Sequence, residues 1–197
     1  MKQRILIIEN SLDTTGALKA ILNYCEYAKN QFDFIFIFPK GSRASFRVRA
    51  QKFQVLEFPM IEIGRNIGNL FLYIPRLIQN AIRLNSVIKE YQIALVHVND
   101  FYNLVAIVSK MLGNRFILTT HIRFMPNRFP FVKKVWMGLN LKYSDAIVCV
   151  SNSVKDLLPN HPKIQVIYDG LPEYSGAYNL TSQRDIIQLL YLSIYIM

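Results

Sequence analysis

Short apolar runs recur along the chain, and between them apolar residues fall three and four positions apart. Arg4 to Glu9, Phe32 to Pro39, Gln54 to Pro59, Ile93 to Val98, Arg115 to Thr120, Ala146 to Val150 and Lys163 to Ile167 are too short for helices and rich in β-branched and aromatic residues, so each predicts a strand. Ala146 to Val150 is apolar throughout, as a strand buried on both faces of a parallel sheet must be. Helical spacing covers Ala17 to Lys29, where Leu18, Ile21, Leu22 and Cys25 share a face, and Phe101 to Met111 and Phe131 to Lys142. It also covers Pro75 to about Tyr91, where Leu77, Ile78, Ala81, Leu84 and Ile88 form the stripe expected in the core. Pro75 suits a first helical position, and Arg65 to Tyr73, which has no clear period, is expected to be a loop. Ser151 to Ser153 offer N-caps to a short helix that Pro159 and Pro162 stop, and Asp169-Gly170 reads as a turn. Strand and helix alternate throughout, which predicts the α/β class: a doubly wound parallel sheet, Rossmann-like, with right-handed crossovers.

Composition narrows the class without changing it. With 197 residues, 52% hydrophobic, the chain can build one α/β domain with a sizeable core. No apolar stretch reaches the roughly 20 residues of a membrane-spanning helix, and Glu9 and Asn10 cut the first run below the length of a signal-peptide core. Cys25 and Cys149 have no ligand-like spacing and are expected to be core thiols in a reducing cytoplasm. The formal net charge of +10 directs attention to anionic partners: phospholipid, sugar diphosphate or nucleic acid. No recognition motif for nucleic acid accompanies it, so no nucleic-acid partner is expected. Two stretches lack acids altogether, Lys40 to Lys52 and Arg123 to Lys142. The second interleaves Phe124, Phe129, Phe131 and Trp136 with cations, and Arg128, Lys133, Lys134 and Trp136 are expected to meet an anionic membrane, at its inner face.

Chemistry is expected where strands end, because ligands of open parallel sheets bind beyond the carboxyl ends of the strands. Two polar clusters fall there, Asn99-Asp100 and Thr120-His121. At the end of the first strand, Thr15-Gly16 opens a helix, and a glycine at that turn lets a phosphate or sugar approach the backbone N–H groups. His97, His121 and His161 are scattered and no Asp-x-Asp exists, so neither a metal nor another cofactor is expected. No G-x-S-x-G supports a serine hydrolase, and no G-x-G-x-x-G supports a dinucleotide site.

The stretch Ser144-Asp145-Ala146-Ile147-Val148-Cys149-Val150-Ser151, with Ser153-Val154 and Leu157 after it and Val166-Ile167-Tyr168-Asp169-Gly170 beyond, resembles the end of the N-terminal domain of glycosyltransferase family 4. That family has the GT-B fold of two facing Rossmann-like domains. The resemblance implies three parts: an acceptor-side domain at 1–170, a linker at 171–184, and the truncated start of a second domain at 185–197, where Ile186 to Leu192 is strand-like. Three departures stand out. Thr15-Gly16 replaces a pair of glycines, Asp169-Gly170 replaces Asn-Gly, and Ser193-Ile194 replaces a Gly-Arg pair. The implied function is that of a hexosyltransferase half, in which a sugar passes from a nucleotide-sugar substrate to a glycan or lipid-linked acceptor. In that reading His121 faces the transferred sugar or acceptor and, with Asp100, is a candidate catalytic base, while Thr15, Gly16, Asn99, Arg123 and Ser151 are substrate-binding candidates. Because His121 follows a strand, its removal is expected to spare the fold. The nucleotide-binding half is not represented, so the chain alone is expected to lack transferase activity unless a partner subunit supplies it. The contrasting expectation is a non-catalytic α/β module that binds anionic membrane or a partner subunit.

Overall fold

The computed structural model describes residues 2–60, 67–123 and 130–169. The elements follow in the order β1 (Gln3–Ile8), α1 (Gly16–Ala28), β2 (Phe32–Pro39), α2 (Arg43–Ala50), β3 (Gln54–Phe58), α3 (Ile67–Glu90), β4 (Ile93–Val98), α4 (Val105–Met111), β5 (Ile117–Ile122), α5 (Pro130–Tyr143), β6 (Ala146–Cys149), α6 (Asn152–Lys155) and β7 (Ile164–Val166). Side chains of α3 are described from Leu72 and those of α5 from Lys134. Residues 170–197, with the expected linker and last strand, lie outside the described residues, as do Phe124, Arg128 and Phe129.

The seven strands form one sheet in the order β3-β2-β1-β4-β5-β6-β7, and every neighbouring pair is parallel. Alternation along each strand divides the core in two. Ile5 and Ile7 of β1, Phe34, Phe36 and Phe38 of β2 and Leu95 of β4 pack under Leu18, Ile21, Leu22 and Cys25 of α1 and Val48 of α2. Leu6, Ile8, Ile35, Ile37, Val96, Val98 and Leu118 turn the other way, against Leu77, Leu84 and Ile88 of α3 and Val105 to Ile107 of α4. Further along that face, Ile122, Ile147 and Cys149 meet Met137 of α5 and Val154 of α6. A strand buried on both faces needs apolar residues at every position, which is why β1 and β6 read as unbroken runs.

The Ser144-Asp145 pair ahead of β6 has a structural use. Asp145 Oδ2 accepts from the Leu118 backbone N–H at 2.7 Å and from Lys110 Nζ, and Ser144 Oγ lies 3.0 Å from Thr120 Oγ1, so the pair fastens β6 to β5. Cys25 and Cys149 are buried free thiols, and burial raises the pKa of each, that of Cys149 to about 11. Among the described residues, no helix is long and apolar enough to cross a membrane.

Three expectations are corrected. The helix expected from Pro75 begins at Ile67 and carries Pro75 inside it, so the loop expected over Arg65 to Tyr73 is helical from Ile67. A proline there forfeits one backbone hydrogen bond, and burial of Tyr73 and Leu77 on either side of it offsets the loss. The helix expected from Phe101 begins at Val105. Asp100 Oδ1 accepts from Tyr102 N and Asn103 Oδ1 from Val105 N, and these side-chain turns displace the first helical turn. The strand expected to end at Thr120 continues through Ile122, because β6 pairs with it as far as Ile122↔Cys149. His121 is therefore inside β5.

One stripe residue also faces outward. Leu77, Ala81, Leu84 and Ile88 are buried, but Ile78 is 44% exposed. Leu84→Ala should therefore lower the unfolding free energy by about 2–5 kcal/mol in a urea titration, whereas Ile82→Ala, on the solvent side of the same helix, should change it by less than about 0.5 kcal/mol.

Candidate functional site

The strand order reverses direction between β1 and β4, and at such a switch point the loops leave for opposite faces and open a crevice. Polar side chains close over it. Glu9, immediately after β1, is 2% exposed, and a carboxylate buried so deeply must be matched by donors. Its Oε1 accepts from Ser11 N at 3.0 Å and Ser11 Oγ at 2.6 Å, and its Oε2 accepts from Asn99 Nδ2. Asn99 Oδ1 in turn accepts from Arg123 Nε at 2.7 Å, and Arg123 Nη1 reaches both carboxylate oxygens of Asp169 at 2.6 Å. One chain of bonds thus joins the carboxyl ends of β1, β4 and β5 to the segment after β7.

A second strand of the network runs alongside. Asn10 Nδ2 donates to Asp100 Oδ2 at 2.8 Å, and Asn103 Nδ2 donates to Asn10 Oδ1 at 2.6 Å. Asp100 therefore holds the turn after β4 with one oxygen and the loop after β1 with the other. Tyr73 of α3 is pushed up to about 12 by burial, with the Asp100 charge adding to it, so the second turn of α3 stands beside this network.

Thr15 is the N-cap of α1: its Oγ1 accepts from Leu18 N at 3.1 Å and lies 3.4 Å from Ser11 Oγ. A Cβ on Gly16 would meet nothing within 4 Å, so the space over this helix start is open. Ser151 caps α6 through Val154 N at 3.3 Å, and among the described residues no hydrogen bond joins it to the Glu9 network; its neighbour Asn152 bonds the Tyr168 hydroxyl at 3.0 Å.

His121 and His97 lie edge to face, ring centroids 5.7 Å apart, with His97 Nδ1 2.9 Å from Thr119 Oγ1. The Nε2 atom of each is buried and without a hydrogen-bond partner. Burial holds both rings neutral, with the charge of Arg123 acting the same way; the pKa of His97 falls to about 3 and that of His121 lies well below its ordinary value. A neutral imidazole with a vacant Nε2 can accept a proton or hydrogen-bond a hydroxyl, although its lowered basicity favours the second role.

Asn99 and Arg123 are thus joined to Glu9 in one set of bonds, Asp100 ties the loop after β1 to the turn after β4 in a second set beside it, and Thr15 stands at the rim of the first through Ser11. Ser151 stays outside the Glu9 network. Of the expected membrane contacts, Lys134 is exposed, while Trp136 is half-buried and donates from Nε1 to Tyr102 O at 3.0 Å, which commits its polar edge to the fold. Glu9, Asn10, Asn103 and Asp169 were not among the expected site residues. Their signal was their place directly after an apolar run or in the next turn. Among the described residues, no group of three or more His, Cys, Asp or Glu side chains is placed to hold a metal ion.

A seven-stranded parallel sheet in this order, with a polar network over its switch point, defines a Rossmann-like domain of the kind that faces a second domain in GT-B glycosyltransferases. The chain belongs to Glycosyltransferase Family 4, whose sequence profile matches residues 15–173. HepE from Anabaena, in complex with UDP and glucose, is similar in structure at a TM-score of 0.65 and 15% identity over 95% of this chain and 49% of its own. A glycosyltransferase from Rickettsia africae gives a TM-score of 0.66 and 22% identity over 86% of this chain and 44% of its own. The lipopolysaccharide outer core galactosyltransferase WaaB, in its apo form, gives 0.62 and 16% over 86% and 46%. The chain thus spans about half the length of these proteins, and at such identities the likeness is one of fold. A search of curated protein sequences finds no match.

The two histidines predict a pH dependence. Their folded pKa values lie below the ordinary 6.5, so on acidification the unfolded chain takes up protons that the folded chain does not. Stability should be full above pH 6.5 and fall as pH drops from there toward about 3, the folded value of His97. Each histidine should contribute about 1.4 kcal/mol per pH unit within its window. Urea titrations between neutral and mildly acid pH should show the fall, and His97→Gln should flatten it.

Proposed function

We propose that the chain is the acceptor-side domain of a nucleotide-sugar-dependent hexosyltransferase. The observation that carries this reading is the polar network at the β1–β4 switch point, with the vacant Nε2 of His121 in the strand next to it. Membership of a glycosyltransferase family supports it, and so does the similarity to HepE, which has been seen with UDP and glucose. In this reading Asn99 and Arg123 hold hydroxyl or phosphate oxygens of the substrates, the open helix start at Thr15-Gly16 admits a sugar or phosphate against backbone N–H groups, and Ser151 lines the far side. His121 hydrogen-bonds the acceptor or transferred sugar. Asp100, which carries two protein bonds already, acts as base only if it exchanges one of them for the acceptor hydroxyl. The leaving diphosphate is stabilised by cations and N–H groups without a metal, and most of that stabilisation comes from the facing half.

Two measurements test this. Ligand-observed NMR of the 197-residue chain with a panel of glycans should detect sugar binding that His121→Gln weakens at least about tenfold, the melting temperature serving as the control for folding. Isothermal titration with nucleotides and a transfer assay should show no micromolar binding and no turnover by the chain alone. Turnover, or micromolar nucleotide binding, would show that the donor site lies in this domain and would overturn the assignment. In an assembled two-domain enzyme, His121→Gln or Asp100→Asn should lower kcat by about 10²–10⁴-fold if the altered group serves as the base, and a change below about threefold would leave that residue a structural role only.

A further inference from the structure

Arg123, just beyond β5, has a side chain only 9% exposed, less than any other cation in an ion pair among the described residues. It is held from behind. Its Nε donates to Asn99 Oδ1 at 2.7 Å, and Asn99 is fixed in turn by the buried Glu9 carboxylate, so the plane of the guanidinium is set before any ligand arrives. A planar fork aimed in advance loses little freedom when it takes an oxyanion. Its Nη1 already meets one, because both carboxylate oxygens of Asp169 lie 2.6 Å away.

Asp169 is unlike its partner. Its side chain is 43% exposed, it belongs to no strand or helix, and it lies three residues past the end of β7 at Val166. Among the described residues its carboxylate bonds nothing except Arg123. The cation is thus built into the edge of the sheet, and the anion is the half of the pair that can be exchanged. An ion pair with one partner so far in water contributes little to stability, which leaves its place open to another oxyanion. The formal net charge of +10 favours the approach of one.

A sugar fits around that anion. Residues two apart on a strand point to the same face about 6.6 Å apart, so His121 lies beside Arg123, and the Arg123 charge acts on its ring. The His121 Nε2 atom is buried without a partner and can hydrogen-bond a hydroxyl. We propose that the ligand of this crevice is a sugar bearing an oxyanion, a carboxylate or a phosphate, which displaces Asp169 from Arg123 while His121 takes a hydroxyl of the same molecule. Asp169 is the stand-in that holds the guanidinium until the ligand arrives. It also selects, because a neutral sugar would break a charged pair without restoring it. The inference rests on the acceptor-side reading above and names the class of acceptor.

Ligand-observed NMR of the 197-residue chain with glucose, galactose and mannose, each as the neutral sugar, the uronic acid and the 6-phosphate, tests the proposal. At least one charged form should bind about tenfold or more tighter than its neutral parent, and which form it is tells carboxylate from phosphate. Asp169→Asn, which keeps the shape and removes the competing charge at an exposed position, should bind that charged sugar at least about threefold more tightly and leave neutral sugars unchanged. Asp33→Asn makes the same change of charge at an exposed position near the amino end of β2, at the opposite edge of the sheet, and should bind as the parent does. Arg123→Lys, which keeps the charge and loses the fork, should lose most of the preference for charged sugars. Equal binding of neutral and charged sugars, still weakened by His121→Gln, would overturn this inference and leave the acceptor-side reading standing, whereas absence of all sugar binding would overturn both. Unchanged affinity in the folded Asp169→Asn chain, or inorganic phosphate bound as tightly as the best sugar, would also overturn it.

Discussion

The buried Glu9 carboxylate sets the terms for the whole carboxyl edge of the sheet. A charge withdrawn from water at a strand end is costly unless donors surround it, and here the donors come from Ser11 and Asn99. Asn99 presents its N–H to Glu9 and its carbonyl to Arg123, so a carboxylate and a guanidinium are coupled through one amide. Arg123 then draws Asp169 across the end of the sheet. Loops that leave for opposite faces are thereby held in one arrangement, and the Asp100–Asn10–Asn103 bonds hold them a second time. A site on loops fixed in this way needs little reordering when a substrate arrives, which is what positioning demands.

Beneath that edge one face of the sheet carries three buried polar side chains. His97 and Thr119 are neighbours across β4 and β5, and His121 lies two residues along the same face. Their neutrality follows from burial, and Arg123 above adds to it. The cation that organises the loops is thus one of the groups that keep these imidazoles uncharged. Electrostatics of the network and protonation of the histidines are one problem and not two.

Helix α3 shows how packing can carry an element past a proline. Its inner stripe closes the core over β1, β2 and β4, and this burial carries the helix through Pro75 despite the missing N–H. Its outer stripe contributes nothing to that packing.

The periodicity of the sequence by itself determined the class of fold and the identity of nearly every element, because a two-sided parallel strand leaves an unbroken apolar run that few other structures produce. It also marked Asn99, Asp100 and His121, since polar residues at the end of such runs are conspicuous. What it left open depended on contacts between distant segments. Only the pairing of β6 with β5 decided that His121 lies within the sheet, and only the turns formed by Asp100 and Asn103 decided that α4 begins late. Glu9 read as a residue that merely interrupted an apolar run, and its place under the network required Asn99, ninety positions away, to be seen beside it. Likewise Ile78 fits the helical period of a core stripe, and its exposure was decided by where the sheet and α4 stop. Periodicity reports which residues share a face of an element; only the tertiary packing fixes how far around that element the core extends.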